Sequence, residues 1–142
     1  MDPELPMVSI VDLGMIGAVE VAESTDGGSS GPIRVKLLPT FIGCPAIDVI
    51  RQSVAARLER FGCPVAIEVT FNPPWTTDRI SAAGRKALTA AGIAEPTAPE
   101  DVRCPYCCSA RVVMDSAFGP TQCRSLYYCR DCRQPFEAMK LV

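Results

Sequence analysis

Two cysteine pairs near the C-terminus, Cys104-Pro-Tyr-Cys107 and Cys129-Arg-Asp-Cys132, stand twenty-one residues apart. The 39 residues from Cys104 to Val142 are too few to bury a self-sufficient core, so this segment is confined to folds closed by a staple. A two-residue spacing turns both sulfurs of a knuckle toward one ion, and two knuckles complete a tetrahedral shell of four thiolates. The runs ARVVMDS and RSLYYC on either side of FGPT read as the strands of a ribbon. The spacing therefore predicts a structural zinc on Cys104, Cys107, Cys129 and Cys132, with a closed shell that leaves no position for hydrolysis. Two other chemistries share part of this signature. An iron–sulfur cluster uses the same four thiolates, and a thioredoxin-like redox pair uses one CxxC placed after a strand of a βαβ unit. Cys108 occupies a place where such knuckles commonly carry glycine and is a rival ligand, whereas Cys123 is expected to pack within the ribbon.

Six of the eight cysteines lie in the last forty residues. The opening residues Met1, Asp2, Pro3 and Glu4 carry no positive segment ahead of an apolar run, so a signal peptide is not expected. A reducing, cytoplasmic setting follows, in which crowded cysteines mean metal more than disulfides. The chain contains no histidine, which removes Ser-His-Asp and Cys-His nucleophiles, HExxH zinc hydrolysis and the two-His-one-carboxylate iron site. Chemistry must then run through Cys, Asp, Glu, Ser, Thr or a bound cofactor. A net charge of -2 with no long basic run argues against general nucleic-acid binding, although Arg111, Arg124, Arg130 and Arg133 sit together in the tail. Asp12 and Glu20 interrupt MVSIVDLGMIGAVEV, the one candidate membrane span.

Upstream of the tail the pattern is that of a small α/β sandwich in the order β-β-α-β-α. Val8 to Leu13 and Met15 to Val21 read as strand, Ser24 to Pro32 as a glycine-rich loop, and Ile33 to Leu38 as a second strand antiparallel to the first. A helix runs to about Phe61, with Ile47, Ile50, Val54, Leu58 and Phe61 on one face and Gly62 as its cap. Val65 to Phe71 is a third strand. TTDRISAAGRKALTAAG gives a second helix with Ile80, Ala83, Ala87, Leu88 and Ala91 inward and Gly92 as its stop. Ile93 to Arg103 has two prolines, three acidic residues and little to pack, so it reads as a linker. The expected organisation is an α/β domain over 1–92, a linker over 93–103 and a four-cysteine ribbon over 104–142.

Within the first domain the stretch TFIGCPAID places Cys44 directly before a proline. With Pro45 at the first helical position, Cys44 becomes the N-cap, and its sulfur faces unpaired backbone N–H groups and the positive end of the helix dipole. That favours the thiolate and makes Cys44 a candidate reactive or metal-binding thiol. A small buried hydrophobe is the competing reading. Trp75 is equally a core plug or a partner contact, and Cys63 reads as structural.

The Asp-Pro-Glu opening, VSIVDLGMI, TFIGCPA, PPWTTD and SAFGPTQCRSLYYCRDC, taken in this order, resemble the PaaD proteins of bacterial phenylacetate degradation. The first part is similar to the wider SufT-type family of iron–sulfur assembly factors. Three departures stand out: CPYCC in place of CPxCG, QPFEAMK in place of EPFDYFK, and the lack of a helix that the family carries before Asp-Pro-Glu, so the chain is expected to be shortened or its start misassigned. The resemblance implies a non-enzymatic maturation factor for the oxygenase that epoxidises phenylacetyl-CoA, acting on its iron–sulfur reductase component. A non-catalytic scaffold subunit docking through the ribbon is the alternative, and a thiol enzyme using Cys44 a third class. The resemblance also implies that Cys44 is the residue that matters in its loop, that Asp2, Glu4, Asp12 and Thr40 line the same pocket, and that a transient iron–sulfur cluster could be shared between two chains of a homodimer.

Overall fold

The computed structural model describes residues 1–22 and 31–142. The predicted loop at Ser24 to Pro32 therefore lies, apart from Gly31 and Pro32, outside the described residues. The sequence IRVKL alternates, and it forms β2 (Ile33–Leu37) with Ile33, Val35 and Leu37 buried and Arg34 exposed. β1 (Ile16–Val21) pairs antiparallel with β2, and β3 (Val65–Val69) pairs parallel on its other side. A parallel pair needs a crossover, supplied by α1 (Ile47–Leu58), which buries Ile50 and packs Ile47, Val54 and Leu58 against the same core. A 3₁₀ turn over Glu59–Phe61 closes it, and Gly62 takes the left-handed conformation, φ 67°, as the predicted cap. Phe61 rides this turn and is 55% exposed, not on the inward face that its spacing suggested.

The segment Val8 to Leu13 is not a strand. It winds into successive turns, with Leu13 N–H bonded to Ser9 O and Met15 N–H to Ile10 O. Local chemistry decides this: Ser9 Oγ accepts from Asp12 N–H at 2.9 Å and donates to Asp12 Oδ2 at 2.6 Å, offering the backbone a turn in place of a sheet partner. Val8 and Leu13 are fully buried all the same. The predicted second helix is shorter than its pattern. A 3₁₀ turn at Thr77–Arg79 precedes α2 (Ala82–Ala90), whose N-cap Ser81 accepts from Gly84 N–H. Ser81 also donates to Asp12 Oδ1 at 2.8 Å, so Asp12 fastens the N-terminal turns to the start of α2. Gly84, and not Ala83, faces inward: a Cβ there would lie 2.7 Å from the Asp12 carbonyl oxygen.

The ribbon is a four-stranded sheet in the order β4-β7-β6-β5. Its members are β4 (Ile93–Ala94), β5 (Val112–Ser116), β6 (Arg124–Cys129) and β7 (Pro135–Met139). β5 and β6 answer to the two predicted runs. β4 and β7 were not read from the sequence, and β4 lies inside the expected linker. There it pairs parallel with β7, Ile93 opposite Glu137 and Ala94 opposite Ala138. Ile93 and Met139 are buried in the core of the first domain, while Ala94 and Val102 are buried in the core of the ribbon. The stretch from Ile93 to Arg103 is thus a packed junction. Among the described residues, no helix is long and apolar enough to cross a membrane.

Candidate metal centre and the Cys44 loop

The sulfurs of Cys104, Cys107, Cys129 and Cys132 lie within 4.8 Å of one another. Cys104 and Cys132 are 3.5 Å apart and Cys107 and Cys129 3.6 Å, against a separation of about 3.8 Å for thiolates bound tetrahedrally to one zinc. Each knuckle is set by its backbone. Cys108 N–H bonds to Cys104 O and Cys104 N–H to Ser109 O, while Cys129 N–H bonds to Gln134 O. Ser109, Arg111 and Asp131 link the two knuckles from outside, with Arg111 Nη1 donating to Asp131 Oδ1 at 2.7 Å. Backbone N–H groups of Cys132 and Asp131 draw the Cys129 thiol down to about 7, whereas burial and the neighbouring sulfurs push Cys132 up to about 12. Four sulfurs this close require a cation before all can be thiolates. The arrangement can hold a metal ion.

Cys108 is exposed and outside this group, and its φ is 61°. A side chain in the left-handed region costs about 1–2 kcal/mol relative to glycine. Cys108→Gly is therefore expected to retain the metal and to gain about 1 kcal/mol of stability, read from thermal unfolding of the metal-loaded protein. Loss of bound metal in this variant would make Cys108 a ligand after all.

Cys44 is placed otherwise than its sequence suggested. α1 begins at Ile47 and its N-cap is Ala46, two residues beyond the predicted cap. Cys44 N–H bonds to Phe41 O at 3.2 Å and its carbonyl accepts from Ile47 N–H at 3.3 Å, so the loop makes an extra turn before the helix. The side chain is half-buried against the first core. Burial pushes its thiol up; a hydrogen bond from Ala46 N–H opposes this only in part, and the charges of Glu4, Asp2 and Cys123 raise it further. These influences run opposite to the dipole-stabilised thiolate expected.

Asp2 is buried, and its Oδ1 accepts from Glu4 N–H and Leu5 N–H, both at 2.8 Å, forming the turn that brings the N-terminus to the Cys44 loop. Thr40 is buried at the start of that loop. Asp12, by contrast, is taken up with Ser9 and Ser81, whose hydrogen bonds hold its carboxyl below the usual range. Trp75 is a core residue whose Nε1–H donates to Leu13 O at 2.8 Å.

Two residues that sequence reading did not place here complete the surroundings. Cys123 packs against the core of the first domain and not within the ribbon, with its sulfur 3.2 Å from Thr121 Oγ1. Lys140 fixes it there: its N–H bonds to Cys123 O, and its Nζ bonds to Gln122 O at 2.7 Å while lying 4.5 Å from the Phe118 ring centre and 5.9 Å from that of Phe41. Phe41 belongs to the Cys44 loop. No periodicity in the sequence speaks to such a contact between domains.

Residues 1–71 match the family described as iron–sulfur cluster assembly protein, and residues 89–140 match the PaaD zinc beta ribbon domain. An Escherichia coli K12 protein, provisionally named as a subunit of 1,2-phenylacetyl-CoA epoxidase, is 34% identical over 99% of this chain and 86% of its own length. A Porphyromonas gingivalis protein named as an Fe-S protein maturation auxiliary factor is 38% identical over 56% of this chain and 71% of its own. A Bacillus subtilis protein of the same description is 32% identical over 61% and 80% respectively. The chain thus belongs to the PaaD family, in which an iron–sulfur assembly domain is followed by a four-cysteine ribbon.

Proposed function

We propose that this chain is a non-catalytic accessory protein of iron–sulfur assembly, and that it matures phenylacetyl-CoA epoxidase by assembling or delivering a cluster to the reductase component. The observation that carries the reading is the joining, in one chain, of a match to iron–sulfur assembly proteins with 34% identity across nearly the whole length to a protein named for the epoxidase. In this reading the four-cysteine site holds a structural zinc and sets the ribbon, and Cys44 is the thiol through which iron is handled. A thiol whose proton is held by burial and neighbouring negative charge becomes a ligand only when a cation displaces that proton. Such a site suits transient possession better than storage.

The name of the Escherichia coli relative favours a second reading, a scaffold subunit that stays with the epoxidase and docks through its ribbon. The two differ in what the recipient loses. Reductase produced in cells lacking this chain is expected to have lost most of its iron and acid-labile sulfide, and Cys44→Ala is expected to restore no more than an empty vector. Full cluster content without the chain, together with stable co-purification at fixed stoichiometry, would replace the maturation reading with the scaffold one.

A further inference from the structure

The two faces of the ribbon sheet are unlike. One carries the stacked pair Tyr127 and Phe136 into the ribbon core. On the other, the register sets Val113 opposite Tyr128 and Tyr128 opposite Pro135, with Leu126 opposite Glu137 two residues along. This row is open: Tyr128 is 38% exposed, Val113 39%, and Pro135 is exposed as well. Beside it Leu126, Pro135 and Glu137 help to line a cleft of about 350 Å³, together with Met7 and Tyr106. Tyr106 lies over Gly92, where a side chain would collide with its ring. Arg130 and Arg133 stand exposed at the knuckle end of the same sheet. We propose that this face of the ribbon is the docking surface for an acidic protein, whose carboxylates pair with Arg130 and Arg133 while an apolar side chain enters the cleft beside Tyr128. The proposal rests on the maturation reading for which protein that is, the reductase component, and adds where on this chain it sits.

Charge identifies the partner. Residues 104–142 hold five Lys and Arg against three Asp and Glu, whereas residues 1–103 hold nine against thirteen, so the ribbon is the basic part of an acidic chain. Most of its cations are already answered: Arg124 pairs with Glu137, Arg111 with Asp131, and Lys140 bonds to Gln122 O. Arg130 and Arg133 make no ion pair among the described residues. Arg133 also has a φ of 59°, where glycine would be less strained, and its exposed side chain gives little packing in return. Strain of this kind marks a residue used for something other than folding. The surface has the composition of a protein contact, in which Met, Tyr and Arg are enriched: Met7, Tyr106 and Tyr128 supply the apolar part and the two arginines the charge. Nucleic acid fits it less well. Two free cations are few for a run of phosphates, and Glu137 in the cleft and the exposed Asp115 on β5 would repel them.

Calorimetric titration of the full-length, metal-loaded chain with purified reductase component tests this directly. Affinity is expected to fall about tenfold or more in the double variant Arg130→Glu, Arg133→Glu and in Tyr128→Ala, and to weaken in the wild type as salt is raised. Arg57→Glu, exposed in the last turn of α1, is expected to bind as the wild type does. Arg133→Gly separates docking from folding: its midpoint of thermal unfolding should rise as the backbone strain is relieved, while its binding weakens. Unchanged metal content and circular dichroism establish that the other variants are folded. No binding to the reductase, binding that every ribbon variant retains, or an equal loss in Arg57→Glu overturns the proposal. It is overturned too if the arginine variants leave reductase binding intact and instead abolish a shift on a labelled duplex oligonucleotide, which gives the face to nucleic acid, or a dimer on size exclusion, which gives it to a second copy. Reductase cluster content in cells lacking this chain is read separately, so a cluster-starved reductase that does not dock on this face would sink the proposal and leave the maturation role standing.

Discussion

Stripping the metal from the four-cysteine centre is expected to unfold the ribbon outright. Its core has seven buried residues, Ala94, Val102, Cys104, Tyr127, Cys129, Phe136 and Ala138, and two of those belong to the four-sulfur group. What remains is one stacked aromatic pair, Tyr127 on Phe136 at 5.6 Å, and a few small side chains, too little to order four strands. Structural zinc in small domains is worth about 10–16 kcal/mol at neutral pH, more than this core can replace. A tight chelator, or Cys129→Ala, should therefore abolish the β5–β7 contribution to far-UV circular dichroism, and unaltered spectra after complete metal removal would refute the assignment. Acid should act in the same direction. The bound form holds four thiolates, and protons compete with the metal for their sulfurs. Metal affinity and ribbon stability then fall together as pH drops, and they recover as it rises. The first domain should loosen as well, because Ile93 and Met139 enter its core from the ribbon sheet.

Trp75→Ala is expected to cost about 3–5 kcal/mol, the largest effect of any single substitution outside the metal centre. The indole is 4% exposed, and its truncation removes buried apolar surface and leaves a cavity in the core. It also removes the Nε1–H donor to Leu13 O, which holds the N-terminal turns against the segment leading into α2. Trp75→Phe separates the two contributions: packing is largely kept, while a buried carbonyl loses its partner at about 1–3 kcal/mol. Chemical unfolding followed by circular dichroism is the appropriate measurement, since Trp75 is the only tryptophan and its fluorescence disappears with it. A change below about 1 kcal/mol in Trp75→Ala would show that the site collapses around the deletion.

Much of this architecture is legible in the sequence, and the parts that are not share a physical cause. Alternation in IRVKL and VAIEV, the three-to-four spacing of Ile47, Ile50, Val54 and Leu58, and the twin CxxC spacing all encode local geometry, and β2, β3, α1 and the four-sulfur cluster follow from them. Val8 to Leu13 has the composition of a strand, yet two short polar side chains, Ser9 and Asp12, close turns on their own backbone. Cys44 reads as a cap because Pro45 suits a first helical position, but the chain takes a further turn to reach Ala46, and burial then reverses the expected sign of the thiol's shift. β4 is two residues long and β7 begins with proline, so neither carries a pattern of its own; each exists because the other is there to pair with it. The packing of Cys123 against the first core depends on how two domains meet, which residue spacing along one chain does not record.

That junction bears on how such a protein can change over generations. Ile93 belongs to one core and its neighbour Ala94 to the other, and the strand they form pairs in register with β7. A ribbon joined through a true tether could be exchanged between proteins as a cassette, with insertions and deletions tolerated at the joint. Here a single added residue between Ile93 and Ala94 would rotate one of them out of its core. The two halves are thus bound to vary together, and a swap of ribbons between relatives should succeed only when the stretch from Ile93 to Val102 travels with the ribbon it pairs with.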